Sequence, residues 1–145
     1  MAHLKTILMG TLLQLLAIDG LAAEQDLVVV VNIDNPTSNM TKSQVIDLFM
    51  GRYIAFPSGV KATPIDLIDS SRSKIFFYQA LMGMSLARVN AYWSRVKFTG
   101  RVKPSVKVRS EAHLVERMQA LPLAIGYMKR KNLTKKLKVV YAVNE

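Results

Sequence analysis

The residues with the richest chemistry sit in one run, Asp69-Ser70-Ser71-Arg72-Ser73, just ahead of the apolar stretch Ile75 to Met82 and Gly83. That order reads as a helix start with a glycine stop. A helix N-terminus carries N–H groups with no partner inside the helix and a partial positive charge. Hydroxyls from Ser70 and Ser71 add donors, and the forked guanidinium of Arg72 can grip two oxygens of one oxyanion. A plainer reading explains the same residues: serine at a helix start is commonly only a cap, with the arginine in solvent. Asp69 would repel a bare anion or accept a hydrogen bond from a protonated one, and both remain open. Further candidates are Asn32, Thr37 and Ser38, which follow the first apolar run, because ligands of open α/β sheets lie beyond the carboxyl ends of strands. Thr99 and Gly100 can offer a hydroxyl and a backbone N–H. Ordinary turn chemistry accounts equally for both groups.

Catalytic and metal chemistry find little support. The chain has no cysteine, which excludes a thiol nucleophile, thiolate zinc and disulfides. Its two histidines, His3 and His113, are too few for a histidine metal cluster. Asp66 and Asp69 fit no glycosidase or metal motif, and His113 has no serine or cysteine arranged beside it. We therefore expect a binding protein rather than an enzyme, without cofactor or metal.

The elements that must position these residues follow from pattern. Leu27 to Ile33 is a β-branched run of the kind that forms a strand buried on both faces. Asp34 to Asn39 is turn-rich, and Thr41-Lys42-Ser43-Gln44 has capping-box spacing ahead of Val45, Leu48 and Phe49, with Gly51 as the stop. Ala62 to Ile68 predicts a second strand. The helix after Arg72 is apolar nearly all round, so enclosure is expected, with Phe76 and Phe77 in the core. Ser85 caps a third helix with the stripe Leu86, Val89, Trp93 and Val96, closed by Phe98-Thr99-Gly100. Val102 to Val108 is a short strand interrupted by Pro104. Ser110 caps a fourth helix with Glu111 in its first turn, and Pro122 ends it. Strands at Leu123–Met128 and Leu137–Val143 complete the chain. Alternating strands and helices predict an α/β layer with a mostly parallel sheet.

Charge and the N-terminus narrow the setting. Among 145 residues, 20 Lys+Arg stand against 10 Asp+Glu, so an anionic partner is expected. Residues 1–23 read as a secretory signal: a short cationic start, an apolar stretch from Ile7 to Ile18, and small residues up to Ala23. A membrane anchor would need about 20 apolar residues, more than this stretch supplies. The expected mature domain is 24–145, exported to a periplasm and not integral to the membrane. Export and core-facing aromatics speak against nucleic acid. Six basic residues from Lys129 to Lys138 can dock on an acidic partner or lipid headgroups, or simply solvate a loop and an edge strand.

Five blocks follow one another: Met40 to Arg52, Phe56-Pro57-Ser58-Gly59-Val60, Arg72 to Phe77, Ala91-Tyr92-Trp93 with Phe98-Thr99-Gly100, and Leu123-Ala124-Ile125-Gly126-Tyr127. Their residues and order resemble the periplasmic phosphate-binding proteins of phosphate ABC transporters. Together the blocks span nearly all of residues 27–143. The resemblance implies a periplasmic-binding-protein-like fold of type II. The length suits one lobe where the family uses two. It further implies inorganic phosphate or a similar oxyanion as ligand, held by Ser70, Ser71 and Arg72 with Asn32, Thr37, Ser38, Thr99 and Gly100, and an ABC permease as partner. The family's Ser-Gly-Thr helix start is absent, Asp69 to Ser73 standing in its place. The alternative is therefore a receptor fold that binds no ligand and docks an envelope protein through its basic C-terminal segment.

Overall fold

In the computed structural model, residues 26–144 are described; the expected signal segment lies outside them. Five strands, β1 (Leu27–Asn32), β2 (Thr63–Leu67), β3 (Val106–Val108), β4 (Ala124–Lys129) and β5 (Leu137–Ala142), form one sheet in the order β3-β2-β4-β1-β5. The helices are α1 (Lys42–Phe49), α2 (Arg72–Met82), α3 (Leu86–Phe98) and α4 (Glu111–Ala120), and a 3-10 turn spans Arg130–Asn132.

The α/β single sheet follows the sequence pattern, but its strand directions are mixed. β2 runs parallel to β3 and β4, whereas β1 runs antiparallel to both β4 and β5. β1 alone runs against the other four strands: β4 and β5 lie on either side of it and run the same way as each other, joined by a 3-10 turn and a short loop that carry the chain back past β1. All six residues of β1 are buried, as its β-branched run requires. β3 begins only at Val106, beyond Pro104, which has no N–H to give to a ladder.

Alternation along β4 sorts the helices onto two faces. A Cβ on Gly126 would come within 3.0 Å of Leu114 on α4, so glycine allows that helix to approach closely. The next residue, Tyr127, turns to the other face. There it stacks on Phe77 of α2 at 3.9 Å between ring centroids, with Phe49 of α1 edge-on at 5.7 Å. α1 starts from the expected capping box: the Gln44 N–H donates to Thr41 Oγ1 and the Thr41 N–H donates to Gln44 Oε1.

α2 departs from the expectation of an enclosed apolar helix. Ile75 is exposed, while Ser73 and Lys74 are buried. The polar residues face inward because partners await them there, as described below.

Past α1, Gly51 adopts φ +67, and a Cβ there would stand 2.7 Å from both Trp93 and Val102. The glycine lets α3 and the chain beyond it press against the end of α1. Gly51→Ala should cost about 2 kcal/mol from backbone strain and displacement of Trp93, read by urea denaturation. A change below a few tenths would show that the contact yields freely.

Candidate functional site

The crossover from β2 into α2 organises two neighbouring polar regions. The first lies beneath the helix. Lys74, with its side chain only 2 % exposed, places Nζ 3.4 Å from Asp66 Oδ2 and 2.8 Å from Asp69 Oδ1. Asp66, also buried, accepts from the Tyr78 hydroxyl at 2.8 Å, from the Tyr127 hydroxyl, and from the Leu67 N–H at 2.8 Å. A buried carboxylate keeps its charge only with such a full set of donors. Burial, reinforced by the Asp66 charge, pushes both tyrosine hydroxyls well above the usual tyrosine range, so they stay protonated donors at neutral pH. Asp69, nearer the surface, also accepts from Asn90 and pairs with Lys107 at 3.5 Å. This cluster borders a cleft of about 210 Å³ with Trp93, Lys97 and Ser105 on its walls.

The second region is at the start of α2. Ser71 is its N-cap, accepting from the Lys74 N–H at 3.3 Å. Ser71, Arg72 and Ser73 line a cleft of about 330 Å³ together with Ser110, Glu111, Lys129 and Asn132. Ser110 is itself the N-cap of α4, so two helix N-termini border one cleft. Arg72 is exposed and has no ion-pair partner among the described residues. The cleft is not empty of negative charge. Glu111 Oε1 accepts from the Ser73 hydroxyl at 3.2 Å and the Lys129 N–H at 3.1 Å, and Oε2 accepts from Asn132 at 2.5 Å. A carboxylate of the chain thus sits where helix-terminal N–H groups and hydroxyls favour an anion.

Of the eight residues singled out in the sequence, the structure brings Ser71 and Arg72 into this cleft, with Ser70 on the exposed turn before them. Asn32, Thr37 and Ser38 are elsewhere. The Asn32 and Asn35 side-chain amides donate to the Met118 and Pro122 carbonyls, at and beyond the end of α4, and the Thr37 N–H donates to Asn35. Ser73 meets Glu111 at the opposite end of that helix, and ten residues of α-helix separate the two places by about 15 Å. Because β1 is antiparallel to β4 and β2 is parallel to it, the carboxyl ends of β1 and β2 lie at opposite edges of the layer. Ser38 lines a different cleft with Pro57 and Ser58. The Thr99 hydroxyl donates to the Val96 carbonyl at 2.7 Å and Gly100 has φ +65, which together make a helix-ending turn.

Three participants escaped the sequence reading, Asp66, Lys74 and Glu111, while Ser73 stood in the singled-out run without a role of its own. A lysine inside an apolar helix run was the available signal for Lys74. Glu111 looked like an ordinary first-turn acid, since its role depends on a helix that is remote in sequence.

Neither a protein-family model nor a curated protein matches the sequence. Solved structures do match in fold. An ABC-type phosphate transport receptor from Vibrio cholerae superposes with a TM-score of 0.63 at 18 % identity, over 79 % of this chain and 45 % of that one. The chain has the fold of about half a phosphate transport receptor. A putative phosphate ABC transporter substrate-binding protein with bound phosphate, from Clostridium perfringens, gives 0.63 at 15 % identity, over 79 % of this chain and 44 % of that one. PstS from Borrelia burgdorferi gives 0.58 at 16 %, over 79 % and 46 %. The chain therefore spans less than half the length of these receptors.

Two expectations follow from the polar cluster. Lys74→Ala should destabilise the fold by about 3 kcal/mol or more, because it strands the Asp66 charge in the core; chemical denaturation reads this, and a loss under 1 kcal/mol would refute it. The second concerns acid. The hydrogen bond from Lys74, aided by Asn90, Lys107 and the charge of Lys74, outweighs desolvation and lowers the Asp69 pKa from 3.8 to about 2. A carboxylate lowered on folding stabilises above its unfolded pKa, and that stabilisation is lost as pH falls through the folded value. The stability gap between wild type and Asp69→Asn should therefore be constant near neutrality and close between about pH 4 and pH 2. A gap that persists at the acid end would contradict this.

Proposed function

We propose that this protein binds phosphate or a similar oxyanion in the cleft between the starts of α2 and α4, as an exported, single-lobe relative of phosphate receptors. The observation that carries the reading is the convergence of two capped helix N-termini with Ser71, Arg72 and Ser73 around a position that already holds a carboxylate. The likeness in fold to receptors for phosphate supports it. In this mechanism the first-turn N–H groups and hydroxyls replace water around the anion, and Arg72 supplies the bidentate charge. Ser70, Asn32, Thr37, Ser38, Thr99 and Gly100 do not line the cleft and have no part in it. Glu111 must leave its donors for an anion to enter, and the cleft is open on one side, so affinity is modest. The setting is the periplasm after removal of residues 1–23, and the partner in delivery is a permease or another envelope protein.

Calorimetry with phosphate on the protein lacking residues 1–23 tests this. A dissociation constant on the order of millimolar is expected. Arg72→Ala should weaken binding about tenfold, through loss of a charge-assisted contact. Glu111→Gln should strengthen it about tenfold, by removing the competing charge while keeping a similar shape. No heat from wild type or Glu111→Gln would overturn the reading.

A second reading is favoured by the same carboxylate. With the Ser73 hydroxyl and the Lys129 N–H already satisfied by Glu111, the fold can serve as a docking module using the exposed Lys135 and Lys136. Silence of Glu111→Gln toward phosphate, with an envelope protein captured through Lys135 and Lys136, would select this alternative.

A further inference from the structure

The positive charge of this protein is concentrated. From Ser70 to Ser110 the chain has nine lysines and arginines and no aspartate or glutamate, so this stretch carries nine of the ten units of net charge. Its outer part is the end of α3 and the loop after it. Arg95, Lys97, Arg101 and Lys103 are exposed there, without ion-pair partners among the described residues. In their midst Phe98 is 96 % exposed, while Tyr92 and Trp93 of the same helix pack against the core. Helical periodicity places Phe98 on one exposed stripe with Arg88, Ala91 and Arg95. Single exposed aliphatic residues are ordinary on a surface, but an aromatic ring left almost wholly in water amid four unpaired cations is not.

We propose that this surface docks the protein on an anionic lipid bilayer. The cations engage headgroup phosphates, and the Phe98 ring enters the boundary between headgroups and acyl chains. Charge complementarity identifies the occupant: the stretch from Ser70 to Ser110 has no acid, and Asp69, which shares a cleft with Lys97, is already paired with Lys74 and Lys107. The single ring at a helix end favours insertion over nucleic-acid binding, which uses successive aromatics along a groove. Neither signal is strong alone; together they give reversible attachment. None of these side chains lines the Ser71–Arg72 cleft, so the docking is independent of oxyanion binding.

Sedimentation with vesicles tests the proposal. Residues 1–23 are removed because that apolar segment would itself enter lipid; the whole sheet and core lie within residues 27–143. The protein should bind phosphatidylglycerol–phosphatidylcholine vesicles, release with added salt, and ignore pure phosphatidylcholine. Phe98→Ser should lower the partition coefficient about fivefold. Replacing Arg95, Lys97, Arg101 and Lys103 by Gln should lower it at least about fiftyfold. Replacing Lys42, Lys135, Lys136 and Lys138 by Gln makes the same charge change elsewhere and should lower it about threefold or less. Circular dichroism confirms folding, and the exposure of Phe98 makes its variant safe in that respect. Equal losses from the two quadruple variants, or no effect of Phe98→Ser, would overturn the proposal. So would binding to a single-stranded oligonucleotide with none to the vesicles, which would mark the surface as a nucleic-acid site.

Discussion

A lysine and an aspartate held out of water govern the arrangement of this molecule. Asp66 stands on β2 and Lys74 one turn into α2, and their ion pair commits the helix to a single rotation about its axis. Were α2 to turn, two charges would lose their partners inside the core, at a cost comparable with the whole stability of a small domain. The same constraint orders the aromatic layer. Tyr78 and Tyr127 bring their hydroxyls to Asp66 from two elements, and the ring of Tyr127 then lies flat on Phe77. It also explains why Ile75 is left outside: the inward positions are taken by Ser73, Lys74, Phe77 and Tyr78.

This rotation hands Ser71 and Ser73 to the cleft. With Lys74 beneath the helix, the first turn brings the Ser73 hydroxyl to Glu111 at the start of α4, while Ser71 caps the turn beside it. The polar core and the candidate site are thus two sides of one helix turn. The Glu111 carboxylate links α2 to β4 and the 3-10 turn that follows it, through Ser73, Lys129 and Asn132. In this arrangement it offsets the positive field of the two helix starts.

Much of the architecture was legible because it rests on local chemistry. The capping box at Thr41, the caps Ser85 and Ser110, and the stop at Gly83 all appear where residue type and spacing place them, and of Ser70 and Ser71, either of which could cap α2, Ser71 does. Strand directions were not legible, since alternation of elements does not say which way β1 inserts between β4 and β5. That one uncertainty scattered the candidate site. Asn32, Thr37 and Ser38 were grouped with Ser71 and Arg72 on the premise that strand ends coincide, which holds for a parallel sheet and fails for β1. Glu111 was invisible for a related reason: its meaning comes from contacts 38 residues back to Ser73 and 18 forward to Lys129.

The pairing of β1 has a kinetic consequence. This strand, buried at every residue, has only β4 and β5 as neighbours, so Leu27 waits for Lys129 and Val28 for Ala142. Among the described strands β1 is thus made first and sheltered last. Contacts of such long sequence separation slow folding and leave the early strand open to wrong association. The sheet cannot close around β1 until the chain through β5 has left the ribosome, and for that interval β1 is without its ladder partners.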